Sequence, residues 1–587
     1  MKNFFTSLLA TVVGIILSTF ILVLIFVGIV SALSASKDKA VELKDNTILY
    51  LKIDQPIVDR KPSSPFDFAR FSKNEQIGLN DLLECIEKAK TDEKIAGIYI
   101  EPGYSFAGMA TIDEIRSALI DFRSSGKFVV SYSNDLLSQP GLYLSSVSDK
   151  VFLNPVGMLL LNGLSLQTMH VKNALDKLDI ESEVIKIGEY KGAGEMFEFD
   201  EMSPANQAQL DRIVTTIWDN MADGICESRG ISKDTLNYLV SSLGIKDPTY
   251  ALKYGLVDSL IYKGDVIKYL KSLTQIDDKD DLNTVELSKY SNVPGKKNFK
   301  GIAREKIAVI YASGSIVDGE GEVNNIGGQN FARAIREARR DSTIKAIVLR
   351  INSGGGSAMA SEDILVELLE TKGVKPIVVS MGDVAGSGGY YIACAADTIL
   401  AGKNTITGSI GVLGVFLNAE GFFNRLGLTF DVSKSHPYAD FASQTKPLQP
   451  EEKAFLQHFI EITYDQFISH VAEGRSMTKE KVNEIGRGHV YSGSDAKDIN
   501  LIDNYGGLKD AIAVAHRMAK LGEKYRVVDL PKQPDPIEQF VKEITGEARV
   551  KTMLQELGIS ADTYQQAKDL MQTQGIVALM PFIIQLK

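Results

Sequence analysis

Cysteine is nearly absent: three residues in 587, Cys85, Cys226 and Cys394, odd in number and far apart. They form neither a disulfide framework nor a metal-ligand spacing. Histidine is also scarce, six residues without a His-Glu-x-x-His pair, which removes the common zinc-hydrolase signature and leaves no metal to expect. Excess positive charge is missing too. The formal net charge is −11 with no basic block, which argues against nucleic acid or an anionic lipid surface as the main partner. Long apolar runs occur in one place only. From Leu8 to Leu33, 26 residues, there is no charge. That exceeds the roughly 20 residues that span a bilayer and the roughly 7–15-residue core of a cleavable signal. Residues 1–36 therefore read as a membrane anchor, with cleavage near Ala32-Leu33-Ser34 as the competing reading. Lys2 on one flank and Lys37, Lys39 and Lys44 on the other leave its direction unset.

Beyond the anchor, apolar segments alternate between strand and helix patterns. Thr47–Ile53, Ile95–Ile100 and Phe128–Ser131 read as strands, separated by helices near 78–89 and 111–123. Such alternation predicts a parallel, helix-covered sheet. The second half repeats it, with strands at Ile307–Tyr311 and Ile344–Ile351 around a helix marked by Phe331, Ala334, Ile335 and Ala338. Ile344 onward matches Ile95 onward at an offset of 249. Tyr143, Asp149, Gly163 and Tyr190 match Tyr391, Asp397, Gly411 and Tyr438 at 248, and Gly255–Asp258 answers Asn500–Asp503 at 245. A nearly constant offset across each half signals tandem duplication. The units are residues 45–276 and 303–530, joined by a polar linker at 277–302 and followed by a tail, 531–587, that reads as helices. The tail's apolar end, Gly575–Ile584, is too short to span a bilayer and reads as packing on the body or on a neighbouring subunit.

The chemistry concentrates in Met381-Gly-Asp-Val-Ala-Gly-Ser-Gly-Gly-Tyr-Tyr391. A buried strand, Pro376–Met381, runs to the turn signal Gly382-Asp383, and helix-forming residues follow, so Ser387 falls at a helix opening. Gly386, Gly388 and Gly389 would let a substrate backbone approach closely. A hydroxyl beside unpaired N–H groups supplies a nucleophile and a place for an oxyanion. The bland alternative is a helix-capping serine. At offset 248 Ser387 faces Gln139, while Lys191 in Gly188-Glu-Tyr-Lys-Gly-Ala-Gly194 faces Ala439. An offset of 249 instead pairs Ser387 with Ser138, read as a decayed copy because its glycines are gone. Complementary loss of this kind is what one composite site would leave behind. For Lys191 to be a base it must be neutral, which at pH 7 costs about 4.6 kcal/mol and which apolar burial can supply. Gly192, Ala193, Met196, Phe197 and Phe199 could provide that environment; Glu189, Glu195 and Glu198 would oppose it if they faced the amine. An exposed loop lysine is the alternative. The glycine-rich Arg350-Ile-Asn-Ser-Gly-Gly-Gly-Ser357 lacks a P-loop's Gly-Lys-Ser/Thr ending and reads as a second source of oxyanion donors.

Together Asn352–Ser357, Gly382–Tyr390, Thr407–Gly411 and Tyr190-Lys191, in order and within a duplication, resemble the signal peptide peptidase A family, also called protease IV, in its long form. The resemblance covers about residues 45–530. It implies an α/β fold of tandem Clp-protease/crotonase-like repeats behind one transmembrane helix, and a serine endopeptidase without cofactor. It makes Ser387 the nucleophile, Lys191 the general base, Gly356 and Gly388 the oxyanion donors, and Ser409 and Asp211 polar neighbours of the amine. It further implies a homotetramer on the bacterial inner membrane, catalytic part periplasmic, acting on released signal peptides and other apolar extended peptides. Gly354 stands where the family usually has proline, and Gly386 where it usually has alanine. The rival readings are a crotonase-type acyl-CoA enzyme, a non-catalytic membrane scaffold and a hydrolase dependent on His436.

Overall fold

The computed structural model describes residues 43–61, 76–103, 107–294, 304–322, 324–533 and 575–580, with eight residues between 11 and 21. Most of the apolar segment expected to be an anchor lies outside these, as does most of the tail. Among the described residues no helix is long and apolar enough to cross a membrane.

Two largely parallel sheets form the body, the second carrying one antiparallel pair, Ile406–Gly408 with Val490–Ser492. In the first, Thr47–Ile53, Ile95–Pro102, Phe128–Ser133 and Lys150–Leu153 pair side by side, with Ser259–Leu260 and Thr284–Glu286 at its edges. In the second, Glu305–Ser313, Ile344–Ser353, Ile377–Gly386 and Thr398–Ala401 take the same places, edged by Asn504–Tyr505 and Tyr525–Leu530. The central strands are near-continuous apolar runs because both faces are covered. In Ile344–Ser353 eight of ten residues are buried.

The duplication extends to individual hydrogen bonds. The Asp149 carboxylate accepts from Val129 N at 2.8 Å, and Asp397 accepts from Ile377 N at the same distance. Asp258 accepts from Val151 N at 2.8 Å, and Asp503 from Ile399 N at 2.7 Å. Arg229 and Arg475 then pair with Asp258 and Asp503. Each aspartate ties the start of one strand to the next element in both copies.

Three expectations change. The strand beginning at Ile377 does not stop at Gly382-Asp383 but continues to Gly386. It stays paired with Ile344–Ser353 on one side, while on the other its partner changes from Thr398–Ala401 to Ile406–Gly408. The Asp383 carboxylate, which suggested a turn, instead accepts from Thr111 N at 2.8 Å and Thr111 Oγ1 at 2.6 Å in the first repeat. The polar stretch read as a linker carries Thr284–Glu286, an edge strand of the first sheet against Thr47–Ile53. In the tail, Gly575–Leu579 is a strand rather than a helix. Two open strand edges flank it, and pairing with both satisfies its backbone groups better than a short isolated helix could.

That tail strand belongs to a third, mixed sheet ordered Asn325–Gly327, Ser315–Val317, Gly355–Ser357, Gly575–Leu579, Leu413–Asn418, Glu181–Lys186. The last two are antiparallel over six residue pairs and come from different repeats. Glu181–Lys186 is how the first repeat delivers its next loop, residues 188–194, to the second.

Candidate active site

Ser387 sits between strand Ile377–Gly386 and helix Gly388–Ala393 with φ 53° and ψ −116°. For a residue with a Cβ this costs about 1–3 kcal/mol, and it persists only where neighbours fix it. Ser387 N donates to Gly408 O at 2.8 Å, and Tyr391 N donates to Ser387 O at 2.8 Å. The hydroxyl is fully buried, 3.4 Å from Gly411 O.

Lys191 arrives at the end of the loop after Glu181–Lys186. Its Nζ is 2.7 Å from Ser387 Oγ, 3.0 Å from Ser409 Oγ and 3.1 Å from Ser409 O. All lie in one chain, so the serine and the lysine meet without a second subunit. A neutral amine has two hydrogens and one lone pair, and these neighbours match that count: the Ser387 hydroxyl can donate to nitrogen while the amine donates to both Ser409 oxygens. Lys191 is fully buried, and desolvation holds its amine well below the ordinary lysine range. None of the three nearby glutamates bonds to it. Glu195 is turned to Ser203 and Asn206, Glu198 to Lys186, and Glu189 lies 3.9 Å from Arg487.

The lysine backbone is clamped by glycine. A Cβ on Gly488, at φ 85°, would come 2.6 Å from Lys191 Cα, and one on Gly411 would come 3.2 Å from Lys191 Cδ. Gln209 completes the clamp, donating to Tyr190 O at 3.0 Å and accepting from Val490 N at 3.1 Å. Asp211, expected near the amine, is not there. It is exposed on helix Pro204–Arg229 and accepts from Gln207 Nε2. Two residues turn a helix by about 200°, so with Gln209 inward Asp211 must face solvent. Gln209, Gly488 and the Ser409 carbonyl were not singled out by the sequence; only the spacing of Gln209 on an amphipathic helix could have hinted at it.

Gly356 and Gly388, the expected oxyanion donors, lie on adjoining segments. A Cβ on Gly355 would come 2.7 Å from Gly388 N, so the glycine-rich loop abuts the helix opening. Gly355 N–H is committed to Ser353 Oγ at 3.1 Å. In the first repeat the corresponding place is filled by an amide. Gln139 Nε2 donates to Gly163 O at 2.8 Å, the counterpart of Gly411, and Gln139 Oε1 accepts from Asn162 N and Gly163 N. Ser138 merely caps its helix, accepting from Gly141 N at 3.2 Å. Ala439 and His436 lie on an exposed loop.

Burial of Lys191 has a thermodynamic consequence. Because its folded-state affinity for a proton is depressed, the unfolded chain binds more protons between the depressed value and the ordinary lysine value. Stability therefore rises with pH through that window. Lys191→Met is expected to raise Tm by about 2 °C or more at pH 7, the gap to wild type narrowing toward pH 10. Thermal unfolding at several pH values reads this.

A buried serine at a strained turn, a buried amine 2.7 Å from its hydroxyl and glycines on either side of it are an arrangement compatible with a serine hydrolase. Residues 121–277 and 370–522 match the model of Peptidase family S49, more than half of the chain. The protein named Protease 4 from Salmonella typhi is 34% identical over 554 residues, covering 91% of this chain and 88% of that one. Protease 4 of Haemophilus influenzae is 33% identical, covering 86% and 84%. The chloroplastic serine protease SPPA of Arabidopsis thaliana is 31% identical, covering 85% and 76%. The chain belongs to peptidase family S49.

Proposed function

We propose that this chain is a serine endopeptidase with a Ser387–Lys191 dyad, cutting apolar, extended peptides, released signal peptides among them. The observation that carries the reading is the 2.7 Å approach of a buried, desolvated amine to a buried hydroxyl. Ser387 Oγ attacks the scissile carbonyl as its proton passes to Lys191 Nζ, and the oxyanion forms against the N–H groups of Gly356 and Gly388. The ammonium is held by the two Ser409 oxygens until it returns the proton to the leaving amine. Lys191 then takes a proton from water, whose attack on the acyl-enzyme releases the second product.

The repeats fit the Clp-protease/crotonase-like fold, with its strand-to-helix oxyanion turns. The uncharged run at Leu8–Leu33 supports a single N-terminal span in a bacterial cytoplasmic membrane, and the family resemblance supports a homotetramer with its catalytic part outside that membrane and no role for nucleic acid. A crotonase-type acyl-CoA reading gives no reason to bury an amine against this serine. In detergent, purified protein is expected to hydrolyse a quenched apolar peptide and to be labelled by a fluorophosphonate at Ser387. Absence of both would reject the assignment.

A further inference from the structure

No histidine belongs to the dyad, yet one stands directly behind it. His489 lies between Gly488, which clamps the Lys191 backbone, and strand Val490–Ser492. Its main chain and its ring serve different partners. The carbonyl oxygen accepts from Ser409 N at 2.7 Å, which fixes the residue whose two oxygens receive the amine. The ring stacks on Tyr491, with centroids 4.3 Å and planes 24° apart, and also meets the Tyr190 ring at 4.5 Å and 57°. Tyr190 immediately precedes Lys191.

Both ends of this stack are tied down. Tyr491 Oη donates to Ile485 O at 2.8 Å. Tyr491 also pairs with Thr407 in strand Ile406–Gly408, whose Gly408 O holds Ser387 N. On the other side, Tyr190 N donates to Arg487 O at 3.3 Å. A lysine stem is long and flexible, so its amine is only as well placed as the backbone it leaves. Aromatic rings suit the task because they are rigid and apolar. Burial holds the His489 ring below the ordinary histidine range, so at neutral pH it adds no charge beside a base that must be uncharged. Its Nδ1 is buried without a hydrogen-bond partner among the described residues, so the ring serves through its shape.

The decayed copy supplies a comparison. In this part of the chain the repeat offset is 245, and the N-caps Asp247 and Ser492 obey it. That offset pairs His489 with Gly244 and Tyr491 with Lys246. The first repeat has neither ring, and the counterpart of Lys191, Ala439, lies on an exposed loop. By contrast, the tyrosine–carboxylate pairs Tyr143–Asp113 and Tyr391–Glu362 occur in both copies, the pattern of a part that serves the fold. The ring stack goes with the chemistry instead.

We propose that His489 is a positioning residue of the Ser387–Lys191 dyad, its ring holding Tyr190 and its carbonyl holding Ser409, so that the amine and its acceptors share one frame. This rests on the protease reading above. His489 acts through Lys191 rather than on the substrate. Without the ring, the lysine loop can shift and water can reach the amine. Misplacement then costs rate, and rehydration returns the amine toward the ordinary lysine range.

The test uses full-length protein and a quenched apolar peptide. His489→Ala is expected to lower kcat about tenfold or more while KM stays within about twofold. The midpoint of kcat/KM against pH should move up by about one unit. His489→Phe, which keeps a flat ring, should restore both. Tyr190→Leu breaks the same contact from the lysine's side and should match His489→Ala, and the double variant should be scarcely worse than either. A role in folding alone would lower Tm without moving the midpoint. Wild-type kcat and midpoint in both His489→Ala and Tyr190→Leu would overturn the proposal, whatever their Tm. So would His489→Phe as slow as His489→Ala, which would give the role to a ring nitrogen, or a raised KM at unchanged kcat, which would make His489 a substrate contact. In each of these cases wild-type protein still cuts the peptide. Wild-type protein with neither hydrolysis nor a fluorophosphonate label on Ser387 would instead sink the protease reading and this one with it.

Discussion

Ser387→Ala and Lys191→Ala are each expected to lower kcat/KM for peptide hydrolysis by about 10⁴-fold or more, with circular dichroism and Tm showing a folded protein. The double variant should be scarcely worse than either single one, because nucleophile and base act as a unit and removing one forfeits the contribution of both. What remains comes from binding and the oxyanion donors alone. Lys191→Arg separates charge from basicity. A guanidinium keeps its proton throughout the working pH range, so it cannot accept one from Ser387, and this variant should be as slow as alanine. In wild type, kcat/KM should rise with pH as the Lys191 amine loses its proton, with a midpoint well below the ordinary lysine value because burial disfavours the charged form. Activity near wild type in either alanine variant would reject the dyad.

The largest expected effect on stability lies where the repeats meet. Arg350 lies on strand Ile344–Ser353, which leads into the glycine-rich loop, and is fully buried. Its Nε donates to Asp59 at 2.7 Å and its Nη1 to Glu114 at 2.7 Å, both in the first repeat, and Nη1 also donates to Ser380 Oγ at 2.9 Å. Removing one partner of such a buried cluster typically costs about 3–5 kcal/mol, because the charges left behind stay desolvated. Against a stability of about 5–15 kcal/mol that is a large fraction. Arg350→Met is therefore expected to fall sharply in Tm, and Arg350→Met with Asp59→Asn and Glu114→Gln to recover most of it. The pH dependence follows from Glu114. Burial already raises its carboxyl above the ordinary range, with Arg350 opposing. Without Arg350 it rises further, so the folded variant binds a proton that the unfolded chain releases as pH increases. The defect should be smallest near pH 4 and grow toward neutrality. A defect independent of pH, or no rescue in the triple variant, would show that the cluster acts through packing alone.

Much of this was legible from residue order. Parallel strands were readable because strands covered on both faces must be apolar throughout, and the duplication because aspartates such as Asp149 and Asp397 tie equivalent strand starts 20 residues before them. The glycines beside Ser387 marked it because few other residues allow so close an approach. Asp383 misled for a physical reason: Gly-Asp is a turn signal only when the carboxylate bonds locally, and here it reaches Thr111, 272 residues away. Asp211 misled because family position does not report which face of a helix a residue occupies. Arg350 gave no hint of burial, since nothing local predicts two carboxylates from another repeat.

Residue order by itself determined the α/β class, the twofold repeat and the identity of the alcohol and the amine, because each depends on local periodicity or on side-chain chemistry. Only the tertiary structure decided that the two groups meet within one chain and that, among the described residues, no carboxylate bonds to the amine. It also decided that Gly575–Leu579 forms a strand between Gly355–Ser357 and Leu413–Asn418. Those outcomes depend on which strand edges lie side by side, and pairing across hundreds of residues leaves no periodic trace in the chain.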